Sequence, residues 1–400
     1  MNSFKRSVVS LLCLAVTGTA LFAQGNIKVG MVEVHPYIDF KVVSDDNIYL
    51  DKNNEEDAVI TNISPGIGLM FPIQKHKFAL NYRADIQNYS VAASTNDAKM
   101  HSVDGLIDLK FPSGIVFKVK DAFKKTVDPA TSELVARAER QQNNLDVEAG
   151  YMSTAGKFSA VLTYSQETHK YDEAAYKPGL NRTVDVPGIN LYYNLSPKTS
   201  LLLGYDMGII NYEYDSNKND SKYQSAVLGA KGQIAPKTVG IVKVGMQMRK
   251  YDDLKDSVTN EEEDFNEMIA SLGAKTTFTS MTNLEISVSR APVESIYAPN
   301  VYNISTVAGL KLNQKVGDKL SLSLDGSTTI SDYPEASTVV STGASKKRQD
   351  TINSVGLNAS YPLQDWVTLN AGYTMKVRSS NFSDFDYTDN LISGGLRLIF

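Results

Sequence analysis

Cysteine is all but missing from this chain: the one present, Cys13, lies in an apolar N-terminal stretch. The rest of the chain therefore has no thiol, which excludes disulfides, thiolate metal centres and cysteine nucleophiles there. Tryptophan is as scarce, with Trp366 alone, and histidine is limited to His35, His76, His101 and His169. Long apolar runs are absent too. After residue 30 no segment offers the roughly 20 apolar residues that a membrane-spanning helix needs. The formal net charge of -5 is spread over mixed signs, without the concentrated basic surface that nucleic acid demands.

What is present is alternation. Phe78, Leu80, Tyr82, Ala84 and Ile86 share one parity, and Asn81, Arg83, Asp85 and Gln87 the other. The pattern returns at Leu201–Ile209, at Leu320–Asp325 and at Val367–Lys376. A period of two means strands with one apolar and one polar face. The candidate strands exceed the about 5–6 residues usual in soluble sheets. They match the about 9–11 residues, plus ends, of a tilted strand crossing hydrocarbon. Their connections also alternate, short ones such as Ser196–Thr199 and Pro362–Trp366 with long polar ones such as Ser44–Ala58 and Tyr333–Arg348. Short periplasmic turns and long outer loops are the asymmetry of an outer-membrane barrel.

The expectation is thus an all-β chain forming a single transmembrane antiparallel β-barrel of about 18 strands, with 16–18 allowed. The first nine fall at 27–43, 59–72, 77–90, 99–112, 113–125, 139–153, 157–170, 181–195 and 199–214. The others fall at 221–234, 238–251, 264–278, 282–296, 303–313, 319–332, 349–361, 366–380 and 388–400. Ahead of the barrel, Lys5 and Arg6 precede an apolar core, Val8–Val16, and a small-residue region, Thr17–Ala23. This reads as a signal peptide, 1–23, cleaved after Ala23 or alternatively Ala20, leaving a barrel over 24–400. Leu11 and Leu12 ahead of Cys13 do not fit a lipoprotein signal. Ile392, Gly394, Leu396, Leu398 and Phe400 alternate to the last residue. This ending resembles the C-terminal signal read by the barrel-assembly machinery, carried by Leu396, Leu398 and Phe400.

In this register the outward side is apolar and the inward side is charged. The candidate lumen-lining residues are Arg83, Asp85, Asp108, Lys110, Lys118, Lys120, Asp146, Glu148, Asp206, Lys231 and Lys243. Arg249, Lys275, Glu285, Lys311, Asp325, Lys376, Arg378 and Arg397 complete the set. Charges without water are prohibitively costly, so a hydrated interior is expected. Eighteen strands put the barrel in the size range that leaves an aqueous channel. Whether these charges pair with one another or meet a solute stays open at this stage. The third long connection, Thr126–Ala138, carries Asp128-Pro129, which suits the first turn of a short helix. It either folds into the barrel and narrows the pore or remains a surface loop.

Two connections are densely acidic: Asp45, Asp46, Asp51, Glu55, Glu56 and Asp57, then Asp252, Asp253, Asp256 and Glu261–Asp264. Neither has the ligand spacing of a recognised calcium loop, so both read as solvated charge, and no metal or other cofactor is expected. Catalysis is not expected either. His101 points outward and Ser102 inward, and no nucleophile, base and orienting group share a face.

Three segments carry a family resemblance: Val34-His35-Pro36-Tyr37-Ile38, Asp45-Asp46-Asn47-Ile48-Tyr49 and Ile63-Ser64-Pro65-Gly66-Ile67, followed by a strand with Tyr82 and Tyr89. Over this N-terminal third the chain resembles the putative β-barrel porin 2 family of outer-membrane proteins. The resemblance implies a barrel of about this size and a link to exopolysaccharide export. The leading expectation is an integral pore of a Gram-negative outer membrane, passing hydrophilic solutes. The alternative is a surface-exposed binding or adhesion barrel with a plugged or narrow lumen. Expected partners are outer-membrane lipid, lipopolysaccharide, the assembly machinery and, through the resemblance, polysaccharide. Removing Phe400 should lower the amount of heat-modifiable barrel in outer-membrane fractions; an unchanged yield would count against an assembly role for this residue.

Overall fold

The computed structural model describes residues 27–400 except 74, 129–132, 134–136, 154–155, 215–219, 256–261, 298 and 339–342. The expected signal peptide and most of the helical turn after Asp128 lie outside the described residues. The strands are β1 (Ile27–Val29), β2 (Val32–Asp45), β3 (Ala58–Ile73), β4 (His76–Tyr89), β5 (Ala98–Lys110) and β6 (Ile115–Thr126). Next come β7 (Arg140–Tyr151), β8 (Phe158–Tyr171), β9 (Arg182–Ser196), β10 (Thr199–Tyr212), β11 (Ser221–Ala235) and β12 (Thr238–Lys255). The last are β13 (Glu262–Thr277), β14 (Thr282–Glu294), β15 (Tyr302–Val316), β16 (Leu320–Thr338), β17 (Ser345–Gln364), β18 (Val367–Ser380) and β19 (Tyr387–Ile399).

From β2 to β19 every strand pairs antiparallel with its successor, and β19 returns to β2 from Leu391↔Asp45 to Ile399↔Tyr37. The result is a closed 18-strand barrel. Closure leaves no unpaired edge, the condition for a sheet in lipid. The first expected strand, 27–43, is in fact broken. Gly30 takes φ 65°, a left-handed turn conformation open to glycine, and folds β1 back on β2. β1 pairs there through Val29↔Val32 and Ile27↔Val34. It adjoins the place where β19 stops, with Phe400 N–H donating to Pro36 O at 2.9 Å.

The outer surface is an apolar belt. Leu162, Leu228 and Ile392 are 60–64% exposed, and many other leucines, valines and methionines of the strands are exposed as well. Such a surface suits acyl chains and would drive aggregation in water. Above the belt alternation fails, and two strand ends were misjudged for that reason. β16 and β17 run on as a polar hairpin to Ala336↔Lys347 and Thr338↔Ser345, where the sequence pattern reads as a loop.

Inside, two tyrosines lie flat against glycines of the facing strand. A Cβ on Gly66 would stand 2.2 Å from Tyr37 Cζ, and one on Gly208 would stand 2.0 Å from Tyr223 Cε1. Each ring also lies near an arginine, Arg397 at 4.8 Å from the Tyr37 centroid and Arg249 at 5.2 Å from that of Tyr223. Gly208→Val should push the Tyr223 ring into Arg249 and destabilise the barrel by about 1–3 kcal/mol. Thermal unfolding in detergent measures this, and an unchanged midpoint would remove the packing role from Gly208.

Candidate functional site

The inward charges sit in cross-strand hoops, because residues directly opposite in an antiparallel ladder share a face. One hoop runs Lys275↔Glu285↔Lys311↔Asp325 over β13–β16. Its ion pairs are Lys275–Glu285 at 2.5 Å and Lys311–Asp325 at 3.4 Å. A second runs Lys77↔Asp108↔Lys118↔Glu148 over β4–β7. There Lys118 meets Glu148 at 3.6 Å, and Asp108 turns to Lys110 at 2.8 Å. Signs alternate along both, so adjacent strands attract.

At the closing seam Asp39 is held by two arginines, Arg83 Nη1 at 2.8 Å and Arg397 Nε at 2.6 Å. Arg83 also holds Asp85 at 2.8 Å. Asp39 was not singled out in the sequence, though its parity with Tyr37 and Lys41 was available. The remaining candidates are differently placed. Lys120 stands opposite Asp146, and Lys231 lies 3.7 Å from the Tyr192 ring centroid. Asp206 faces Gly188, where a Cβ would stand 2.1 Å from its Oδ1. Among the described residues Lys243, Lys120 and Asp206 form no ion pair.

Two cavities follow the first hoop and the seam cluster. One of about 1300 Å³ is lined by Lys231, Lys275, Glu285, Lys311 and Asp325, and reaches the short turn at Pro197–Lys198. The other, about 1030 Å³, is lined by Asp39, Lys41, Arg83, Asp85 and Arg397. It extends from the short turn at Ser280–Met281 to Asp128, at the start of the β6–β7 connection. Both therefore reach the short-turn end of the barrel.

The long-loop end is built differently. Glu133, in the β6–β7 connection, accepts hydrogen bonds from Ile296 N–H at 2.7 Å, Asn303 Nδ2 at 2.9 Å and Ser295 Oγ at 3.2 Å. Those partners flank the β14–β15 connection. β14 is eight strands on from β6 in one direction and ten in the other, so Glu133 stands against the opposite wall. Glu133 therefore lies across the barrel opening from β6. On the near side Arg137 donates to Tyr89 Oη and to Asn96 O, the latter at 3.2 Å. Ala138 is buried against Tyr171 and Leu180.

Beside this crossing, arginines and aromatic rings fill the outer wall. Arg249 pairs with Glu294, whose other oxygen accepts from Tyr212 Oη at 2.9 Å. Phe265 and Tyr302 stack close by with centroids 3.9 Å apart. On β17 and β18, Asp350 Oδ2 accepts from Arg348 Nη2 at 2.7 Å and Arg378 Nη2 at 2.6 Å. The Arg348 guanidinium lies 3.6 Å from the Phe385 centroid and 4.2 Å from that of Tyr297. Arg348, Asp350 and Glu294 were missed in the sequence, because each sits at a strand end read as loop or boundary. In the first outer loop, outside the membrane, backbone N–H groups of Asn53 and Asn54 hold the Asp51 carboxyl below its usual range.

A family model described as Putative beta-barrel porin 2 matches residues 20–400. No curated protein sequence matches the chain. Among solved structures the chain is similar to Pseudomonas aeruginosa OccK2 (OpdF) in complex with glucuronate. That match has a TM-score of 0.50 and 11% identity, covering 92% of this chain and 98% of that one. Pseudomonas aeruginosa OpdO gives 0.48 at 12% identity, with 92% and 97% covered. The FrpB iron transporter from Neisseria meningitidis (F3-3 variant) gives 0.42 at 11% identity; 87% of this chain matches, spanning 62% of that one. At such identities the likeness is one of fold. As to the outer wall, Asp350→Ala should leave Arg348 and Arg378 buried without their shared anion and cost about 3–5 kcal/mol. Unfolding in detergent checks this, and a loss under 1 kcal/mol, which is about the worth of an exposed pair, would show the triad to be solvated.

Proposed function

As the chain belongs to the Putative beta-barrel porin 2 family and is an integral outer-membrane barrel, we propose that it is a channel for hydrophilic solutes, narrowed at its outer mouth by the β6–β7 connection. The observation that carries this reading is Glu133 held by Ser295, Ile296 and Asn303 on the far wall. The charged hoops below it support a water-filled passage, since ions on an inner wall need hydration or partners. In this reading Lys120, Asp146, Asp206 and Lys243 are among the side chains left to meet a solute, while the hoop charges keep the wall rigid. Lipid and lipopolysaccharide face the apolar belt, and the assembly machinery reads Leu396, Leu398 and Phe400.

Export of an extracellular polysaccharide is the narrower form of the proposal, and its support is the family likeness over residues 34–67. A second reading, a surface-binding barrel with a narrow lumen, is favoured by the arginine–aromatic packing of the outer wall. Planar-bilayer conductance separates the two. The channel reading expects ion conduction by the wild type and a higher single-channel conductance in Glu133→Ala. Deleting residues 127–137 should raise it further. A wild type closed to ions at every voltage, with both variants closed as well, would overturn the channel reading in favour of the binding barrel. Loss of surface polysaccharide on gene deletion would support export, and an unchanged polymer coat would remove it.

A further inference from the structure

At the outer end of the β2–β19 seam three carboxylates meet. Asp45 ends β2, Asp46 follows it and Asp389 lies near the start of β19. One oxygen from each lies within 4.8 Å of the others. Asp389 is only 6% exposed and Asp45 9%, while Asp46 opens to solvent. Their hydrogen bonds are unequal. Asp46 accepts from Asn390 N–H at 2.7 Å and Nδ2 at 2.8 Å, and Asp45 Oδ1 accepts Asn47 N–H at 2.9 Å. Asp389 Oδ1 is sequestered from solvent and accepts no hydrogen bond.

A counter-ion is missing as well: among the described residues no lysine, arginine or histidine forms an ion pair with any of the three. Lys376 stands opposite Asp389 in register, yet its Nζ lies over the Tyr387 ring, 5.5 Å from the centroid. Arg137 is engaged by Tyr89 and Asn96. A buried carboxylate oxygen with neither donor nor cation, as at Asp389 Oδ1, is strongly destabilising. Oxygens bound to one calcium ion lie about 2.3–2.6 Å from it, hence no more than about 5 Å from each other. The three carboxylates already meet that spacing.

We propose that Asp45, Asp46 and Asp389 form a binding site for one divalent cation of the calcium class at the outer end of the barrel seam. Calcium suits the site better than magnesium, because it accepts irregular oxygen shells with water completing them. Asp46 gives the ion a route from solvent. The cation would join the first and last strands of the barrel where their ladder ends. It would also fix the first outer loop, which already reaches β19 through Asn47 Nδ2 on Thr388 O at 2.8 Å. Lys52 adds an ion pair to Asp386 at 3.0 Å.

The test uses the chain from residue 24 on, refolded in detergent, free of lipopolysaccharide, and titrated with calcium chloride by calorimetry at neutral pH. One ion per chain is expected, with a higher unfolding midpoint in calcium than in chelator. Asp389→Asn should weaken binding about tenfold or more, since affinity follows the number of charged ligands. Exposed Asp46→Asn provides the same reading if Asp389→Asn fails to refold. The double variant Glu55→Gln/Glu56→Gln, in the same loop but outside the cluster, should bind like wild type. Absence of calcium binding by the wild type, or equal affinity in the wild type and the cluster variants, would overturn the proposal. Unaltered binding in the cluster variants would place the ion elsewhere on the acidic rim.

Discussion

The hydrogen-bonded ladder between β19 and β2 is the constraint on which the rest depends. A backbone group left unpaired in hydrocarbon costs several kcal/mol, so the sheet must end on itself. Leu391 to Ile399 against Asp45 to Tyr37 provides that ending. Once the sheet is closed, every strand has two faces and no edge. One face meets lipid and must be apolar; the other encloses a space that the chain can make polar. The alternation along each strand, the apolar belt and the charged interior are three consequences of one closure. The polar hairpin of β16 and β17 marks where the constraint relaxes, because there both faces meet water.

Charge inside such a cylinder has two ways of being tolerated, water or a partner, and this barrel uses both at different depths. Toward the short-turn end the β13–β16 hoop of alternating sign lines open space, where the pairs add modest cohesion because water screens them. Toward the long-loop end Arg249–Glu294 and Arg348–Asp350–Arg378 are buried under aromatic rings. Burial there raises the penalty for losing a partner far above what the pair itself contributes. The same residue types thus act as a hydrated lining below and as rigid scaffolding above.

What could be read from the sequence follows this division. Strand positions were legible to within a few residues wherever lipid enforces alternation, as at Phe78–Ile86 or Leu201–Ile209. They were less so at Arg348, which lies on a strand that has left the membrane and lost its pattern. Gly30 gave no periodic signal for its turn. Long-range pairing was out of reach in principle: Glu133 and Asn303, across the barrel, are 170 residues apart, and Asp46 and Asn390, across the closing seam, are 344 apart. Periodicity assigns a residue to a face, whereas a contact across the barrel needs the strand count, the register and the loop path together. For that reason the acidic run at Asp45–Asp46 read as solvated charge, and only the folded seam brings Asp389 to it.

The order of environments along the barrel axis bears on permeation. In the proposed channel a solute entering from the long-loop side would pass Glu133 before reaching the cavities that open toward the short turns. Glu133 is fixed there by three hydrogen bonds, and each is exchangeable with water at a small net cost of about 1 kcal/mol. Bonds of that kind can be displaced locally while the ladder stays intact. The wall is held by backbone bonds that must not break, and Glu133 by side-chain bonds that can, so displacement of Glu133 and membrane stability are energetically separate in this fold.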